Sequence, residues 1–110
     1  MKGLIIKKEW LNKILTGEKT WEIRGRNCRI RGKIELIQSG SGLVVGCCDL
    51  VDSFEIDTEI LKKEKKKHCI EDINVIHYKK AYAWVIGNPV RYSTPRPYKH
   101  PRGAVIWVNL

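Results

Sequence analysis

Apolar positions along the chain fall into short alternating runs separated by glycine, proline and charge clusters. Leu4, Ile5 and Ile6 stand in a row and predict a short buried strand over Gly3–Lys7. Trp10, Leu11, Ile14 and Leu15 recur at helical spacing, which predicts a helix over Lys8–Thr16 with Lys8, Asn12 and Lys13 outside. Gly17 closes it, because glycine enters the left-handed region past a helix C-terminus without a Cβ clash. From Thr20 the period changes to two. Trp21 and Ile23 suit a core, while Thr20, Glu22 and Arg24 point the other way, with Lys19 at the turn.

Lys33–Gln38 predicts another strand, and Ser39-Gly40-Ser41-Gly42 a tight turn. Leu43–Phe54 is the strongest strand pattern, with Gly46 marking a bulge or bend. Asp57–His68 predicts a surface helix anchored by Ile60 and Leu61, with a run of lysines from Lys62 to Lys67. Ile70, Ile73 and Val75 begin a short helix or loop. Tyr82–Gly87 predicts a strand that Asn88-Pro89 ends, because proline lacks the N–H a ladder needs. Val90–Ser93 extends it briefly. Three prolines then make Thr94–Gly103 a stiff, extended loop, and Ala104–Leu110 returns as a final strand.

The sum is a mainly β chain with short helices, an α+β arrangement in a single domain over 1–110. Short, bent strands at both termini predict a closed or nearly closed barrel, which leaves no exposed sheet edges.

Charge changes the functional picture. Lys and Arg number 21 against 12 acids, a formal net charge of +9. That balance selects anionic partners, nucleic acid first and an acidic membrane surface second. No apolar run approaches the roughly 20 residues that span a bilayer, and the N-terminal apolar block is too short for a secretory signal. A cytoplasmic, intracellular protein is expected, with no membrane partner and a monomeric state assumed. Cys28, Cys47, Cys48 and Cys69 contain no Cys-x-x-Cys pair, so they read as free thiols or small apolar residues. No metal site and no organic cofactor is expected.

The stretch from Gly17 to Arg24 is the candidate site. Lys19, Thr20, Glu22 and Arg24 place a cation, a hydroxyl, a carboxylate and a guanidinium along one edge, either as a solvated strand face or as a polar site at a helix–strand junction. Two basic segments flank the rest: Arg26, Arg29 and Arg31 in a Gly-bounded loop, and Arg96, Tyr98, Lys99, His100 and Arg102 in the proline-rich one. Both suit phosphate contacts, and the Ser39–Gly42 turn offers bare backbone N–H groups to an anion or a base.

Two stretches, Trp10…Gly17-Glu18-Lys19-Thr20-Trp21-Glu22-Ile23-Arg24 and Tyr82-Ala83-Trp84-Val85-Ile86…Pro95-Arg96-Pro97-Tyr98-Lys99-His100-Pro101-Arg102-Gly103-Ala104-Val105-Ile106-Trp107, together resemble an ASCH domain, the family named for homology to the activating signal cointegrator. The hallmark Gly-x-Lys-x-x-Glu-x-Arg is present in full. The resemblance implies a PUA-like β-barrel with flanking helices, a cleft near the helix-to-strand junction, and an association with RNA and modified nucleosides. Some members resemble amidohydrolases that remove acyl groups from N4-acylated cytidine, and others ribonucleases; the lysine implicated in both corresponds to Lys19. The amidohydrolase branch has Thr where this chain has Glu22. It also uses a mid-chain Glu, for which Glu59, Glu64 and Glu71 are the candidates by position.

Three functions follow. A binding module would read a base edge with Lys19, Glu22 and Arg24, stack it on Trp10, Trp84 or Tyr98, and contact it from Ser39. An enzyme would use Lys19, Thr20 and Glu22 as its catalytic set, although a carboxylate beside Lys19 raises that lysine's pKa and opposes a basic role. In RNA cleavage a charged Lys19 would stabilise phosphate charge, with His100 as proton carrier. In an interaction module, the same network would brace the fold and the basic surface would meet another protein.

Overall fold

Strand β1, Lys2–Ile6, feeds directly into helix α1, Lys8–Leu15, whose Leu11, Ile14 and Leu15 are buried. Gly17 takes φ +83° just past the helix, the left-handed value expected of a glycine that stops one. The chain then enters β2, Trp21–Arg24, followed by β3, Gly32–Gln38, and β4, Leu43–Ile56. Helices α2, Thr58–Lys63, and α3, Lys65–His68, replace the single predicted helix, and a 3-10 turn covers Ile73–Val75. Strands β5, Ala81–Pro97, and β6, Trp107–Asn109, complete the chain. The computed structural model describes all 110 residues.

The six strands form one sheet in the order β2-β5-β4-β3-β1-β6. β1 runs parallel to β3, and the other pairings are antiparallel. β2 and β6 are the two ends and do not pair with each other, so the expected barrel is not closed by a backbone ladder. One side chain spans the seam: Arg24 on β2 donates from Nη2 to the Ile5 carbonyl on β1 at 3.0 Å.

Two boundaries differ from the sequence expectation. Pro89 does not end β5. Asp49 pairs with Gly87 and Cys47 with Val90, which leaves Asn88 and Pro89 together opposite Cys48 in a bulge. Asn88 takes φ +48° there, and the proline occupies a position where no ladder donor is needed. β5 therefore continues through the segment expected to be a loop, as far as Pro97. The final strand is shorter than expected, because only Trp107–Asn109 pairs with β1 as strand. Gly46 does mark the predicted bend. The register shifts between Val44 and Gly46, and a Cβ at Gly46 would lie 2.3 Å from the Val90 carbonyl oxygen.

The main core packs α1 on the sheet and includes Leu4, Leu11, Ile14, Leu36 and Trp84. A second cluster, with Trp21, Ile23, Leu61 and Ile70, joins β2 to α2 and the chain after α3. The strand β2 thus packs its apolar side into the second core, and Arg24 on its polar side reaches across the open seam.

Candidate functional site

A cleft of about 620 Å³ fills that seam, within the range of small-ligand sites. Lys19, Glu22 and Arg24 from β2 and its approach, Trp10 from α1, and Ser39 from the β3–β4 turn all line it. The five residues expected to bind ligand are therefore assembled around one space. Thr20 is not among them. Its backbone ties β2 in place, with N–H donating to the Lys67 carbonyl at 2.9 Å and its carbonyl accepting from Ile86 N–H at 2.8 Å.

The polar edge is not a solvated strand face. Lys19 is 2 % exposed and Glu22 is 6 % exposed. Lys19 N–H donates to the Lys13 carbonyl at 2.9 Å, which turns the chain past Gly17 and aims the side chain inward. Its Nζ donates to the His68 carbonyl and lies 4.8 Å from the Trp10 ring centroid. The His68 ring is pinned in one tautomer: Nδ1 accepts from Ile70 N–H at 2.9 Å, and Nε2 donates to the Leu61 carbonyl at 2.6 Å. This buried histidine fixes the carbonyl that holds Lys19.

Glu22 is held through one oxygen. Its Oε2 accepts from Nε of Arg24 at 2.9 Å, with Nη2 of the same guanidinium also 2.9 Å away as an ion-pair contact. Its Oε1 accepts no hydrogen bond from the protein; Lys19 Nζ stands 3.7 Å away. Arg24 is positioned in turn by the Ile5 carbonyl and by the Trp84 ring, 5.6 Å from its guanidinium.

Burial pushes the Lys19 ammonium below the ordinary 10.5, and the Glu22 carboxylate offsets only part of that shift. Glu22 does raise the Lys19 pKa as expected, but desolvation outweighs it, so the net shift is downward. The folded protein binds fewer protons than the unfolded chain between the lowered value and 10.5, and stability rises with pH across that window. Below the window the cost of burying the charge is fully present. In urea unfolding at a series of pH values, wild type minus Lys19→Met should therefore climb through the window and flatten above it. A flat difference would show that Lys19 titrates as a solvated lysine.

The remaining predicted residues are dispersed. Trp84 is a core residue stacked on Trp107 with centroids 5.9 Å apart, not a base platform. Tyr98 and His100 line a second compartment that shares Ile5, Ser39 and Val105 with the cleft. Nε2 of His100 donates to the Ala104 carbonyl at 2.9 Å, and Nδ1 accepts from the Tyr98 hydroxyl at 2.7 Å, so both ring nitrogens brace their own loop. Arg31 folds back onto the Cys28 and Ile30 carbonyls and Asp52. Arg96 pairs with Glu35 at 3.5 Å, beside a Tyr92 hydroxyl that burial and Glu35 push to a raised pKa. Arg26, Arg29, Lys99 and Arg102 are exposed and form no ion pair. The mid-chain acids Glu59, Glu64 and Glu71 do not line the cleft, whose only carboxylates are Glu9 and Glu22. Glu64 and Glu71 pair with Lys67 and Lys65 on the helical surface.

His77 and Tyr78 line the cleft although they lie outside both motif stretches, and Val105 of the second stretch joins them. Lys79 and Lys80 follow Tyr78 in a neighbouring groove. The basic-aromatic run His77-Tyr78-Lys79-Lys80 was a readable signal. No group of three or more His, Cys, Asp or Glu comes together, and no helix is long and apolar enough to cross a membrane. The four cysteines are free, with burial pushing the Cys48 thiol up to about 12.

An open-seamed β-barrel with helices packed on it and a polar cleft at the helix-to-strand junction defines a PUA-like domain. The ASCH domain model matches residues 4–96, and the chain belongs to that family. Among solved structures, the ASCH protein of Zymomonas mobilis superposes with a TM-score of 0.70 at 16 % identity, over 82 % of this chain and 68 % of that one. A tyrosine-to-phenylalanine variant of it gives a TM-score of 0.77 at 15 % identity, over 99 % and 88 % of the two chains. A serine-to-alanine variant gives 0.73 at 15 % identity, over 99 % and 87 %. At these identities the likeness concerns the fold. No curated protein matches the sequence significantly.

Proposed function

We propose that this ASCH domain binds RNA, or a modified nucleoside, by seating one base in the cleft against Glu22. The observation that carries the reading is the half-used carboxylate: Arg24 holds Oε2, while Oε1 accepts nothing from the protein. A carboxylate oxygen so placed accepts from an exocyclic amine or a ring N–H, and Lys19 beside it donates to a neighbouring ring nitrogen or carbonyl. Trp10, half-buried on the wall, supplies a stacking face.

A second reading is hydrolytic, and the lowered pKa of Lys19 favours it. Burial favours the neutral amine, the form that can take a proton from water. With Thr20 outside the cleft, that nucleophile is water and not the threonine hydroxyl. The absence of Glu59, Glu64 and Glu71 from the cleft weighs against the amidohydrolase form of this reading.

Incubating the protein with N4-acetylcytidine and, separately, with mixed single-stranded RNA separates the two. Under the binding reading chromatography shows no product, while RNA is retained. Turnover abolished by Lys19→Met would instead establish an enzyme, with the substrate deciding its type.

A further inference from the structure

Lys19 and Glu22 line the cleft, yet they are only 2 % and 6 % exposed. With so little of either side chain open, full contact with a ligand requires one wall of the cleft to move. The walls differ in how they are held. Strand β1 is paired on both sides, to β3 and to β6. Helix α1 carries Trp10 on the cleft and sinks Leu11, Ile14 and Leu15 into the main core. The Ser39 amide donates to the Ile6 carbonyl at 2.9 Å, and the loop of Val105 is tied to Ile5 N–H through the Ile106 carbonyl, also at 2.9 Å.

The strap from Glu71 to Lys80, which contributes Val75, Ile76, His77 and Tyr78 to the cleft, is held otherwise. Its backbone hydrogen bonds all stay inside it: Asn74 N–H donates to Asp72 Oδ1, Val75 N–H to the Asp72 carbonyl and Ile76 N–H to the Ile73 carbonyl. Buried Ile70 and Ala81 fix its two ends, and Ile73 and Ile76 rest half-buried on the second core. Tyr78 docks the strap on the end of β2. Its ring fills the space over Gly25, where a Cβ would lie 2.6 Å from the ring Cδ1. Gly25 has no positive φ, so its backbone does not call for glycine; the missing side chain is the seat of the ring. The same ring borders the cleft and two neighbouring grooves, one with Arg26 and Tyr82, the other with Thr58 and Leu61. Lifting it joins the three spaces.

We infer that the Glu71–Lys80 strap is a gate, latched by the Tyr78 ring on Gly25, which swings about Ile70 and Ala81 to open the buried Lys19–Glu22 pair to a ligand. The gate concerns access alone, so it stands whether the cleft binds a base or hydrolyses a substrate. A segment with no backbone tie to its neighbours opens at the low-energy end of local motions, well below global unfolding. Closed, the strap keeps water from the Lys19–Glu22 pair, and hydrogen bonds made there are stronger for it.

The test follows acetylation of individual lysines by acetic anhydride, read by peptide mass spectrometry, beside amide hydrogen exchange. In wild type, low urea should change the Lys19 rate by less than about twofold, because opening the strap exposes little surface. Tyr78→Ala should accelerate both Lys19 acetylation and exchange of the Val75 and Ile76 amides by roughly tenfold, the equivalent of losing a half-buried aromatic contact. Gly25→Ala should do the same, since the added methyl group displaces the ring, while Tyr78→Phe should stay within about twofold of wild type. Exposed Lys99 and the Leu11 amide of α1 serve as references and should not move. A Lys19 rate that climbs steeply with urea, or a Leu11 amide accelerated along with the strap, would mean that Lys19 is reached by global unfolding. A Lys19 rate unmoved by Tyr78→Ala would mean that another wall gives access. Each of these results overturns the gate, and none of them bears on what the cleft binds.

Discussion

Glu22→Ala is expected to lower the unfolding free energy by about 3–5 kcal/mol, because it strips the counter-charge from a buried lysine and a half-buried arginine. Lys19 keeps only the His68 carbonyl and the Trp10 ring. Arg24 keeps the Ile5 carbonyl and the Trp84 ring. For a domain of this size that loss is a large share of the total stability. Combining it with Lys19→Met should recover part of the loss, since the charge left unpaired is then gone too. Urea unfolding of the two variants checks this. A loss below about 1 kcal/mol for Glu22→Ala would mean that water already screens the network.

Trp84→Ala should cost a similar amount, about 3–5 kcal/mol, by opening a cavity in the main core. The ring stacks on Trp107, and its Nε1 donates to the Arg26 carbonyl at 2.8 Å. It also supports the Arg24 guanidinium. The substitution therefore loosens the site as well as the core: both the loop after β2 and the arginine that orients Glu22 lose a contact. Trp84→Phe keeps an aromatic surface but orphans the Arg26 carbonyl, and about 1 kcal/mol is expected for that hydrogen bond. Thermal unfolding measures both. Near-equal melting temperatures for wild type and Trp84→Ala would contradict the core assignment.

Local chemistry made much of this fold legible. Gly17 signals a helix end through its backbone freedom, and Gly46 signals a bend through its missing side chain; both act at their own positions. The alternation from Thr20 to Arg24 likewise separates Trp21 and Ile23 from the polar edge. Pro89 misled for a reason outside the local sequence. Only the register of β4 against β5, set by pairings on either side, turns its missing donor into an ordinary bulge. The unpaired ends of the sheet were equally invisible, because closure depends on where β6 stops relative to β2.

At the site, Lys19, Glu22 and Arg24 were legible as a set, but their burial was not. Charged residues at spacing two fit a solvated face and a polar site equally, and only the cleft lined with them by Trp10, Ile70 and the segment before β5 decides for the site. Burial there also turns the net Lys19 shift downward, since desolvation is a property of the assembled cleft. Trp84 read as a stacking platform because its aromatic character is local, while its partner Trp107 lies far along the chain. The arginines of the two basic loops read alike. Only the fold shows that Arg31 and Arg96 are occupied by Asp52 and Glu35, and that Lys79 and Lys80 are better placed beside the cleft.

The affinity of mixed single-stranded RNA for Glu22→Gln, measured beside wild type, shows whether a base reads the free oxygen of Glu22. Glutamine keeps the shape and leaves its carbonyl oxygen for Arg24, but it turns the free acceptor into an N–H donor. A loss of roughly 10- to 100-fold in RNA affinity is expected, the worth of one hydrogen bond to a charged group, with the fold retained. Glu22→Gln binding RNA as tightly as wild type would show that no base reads this carboxylate.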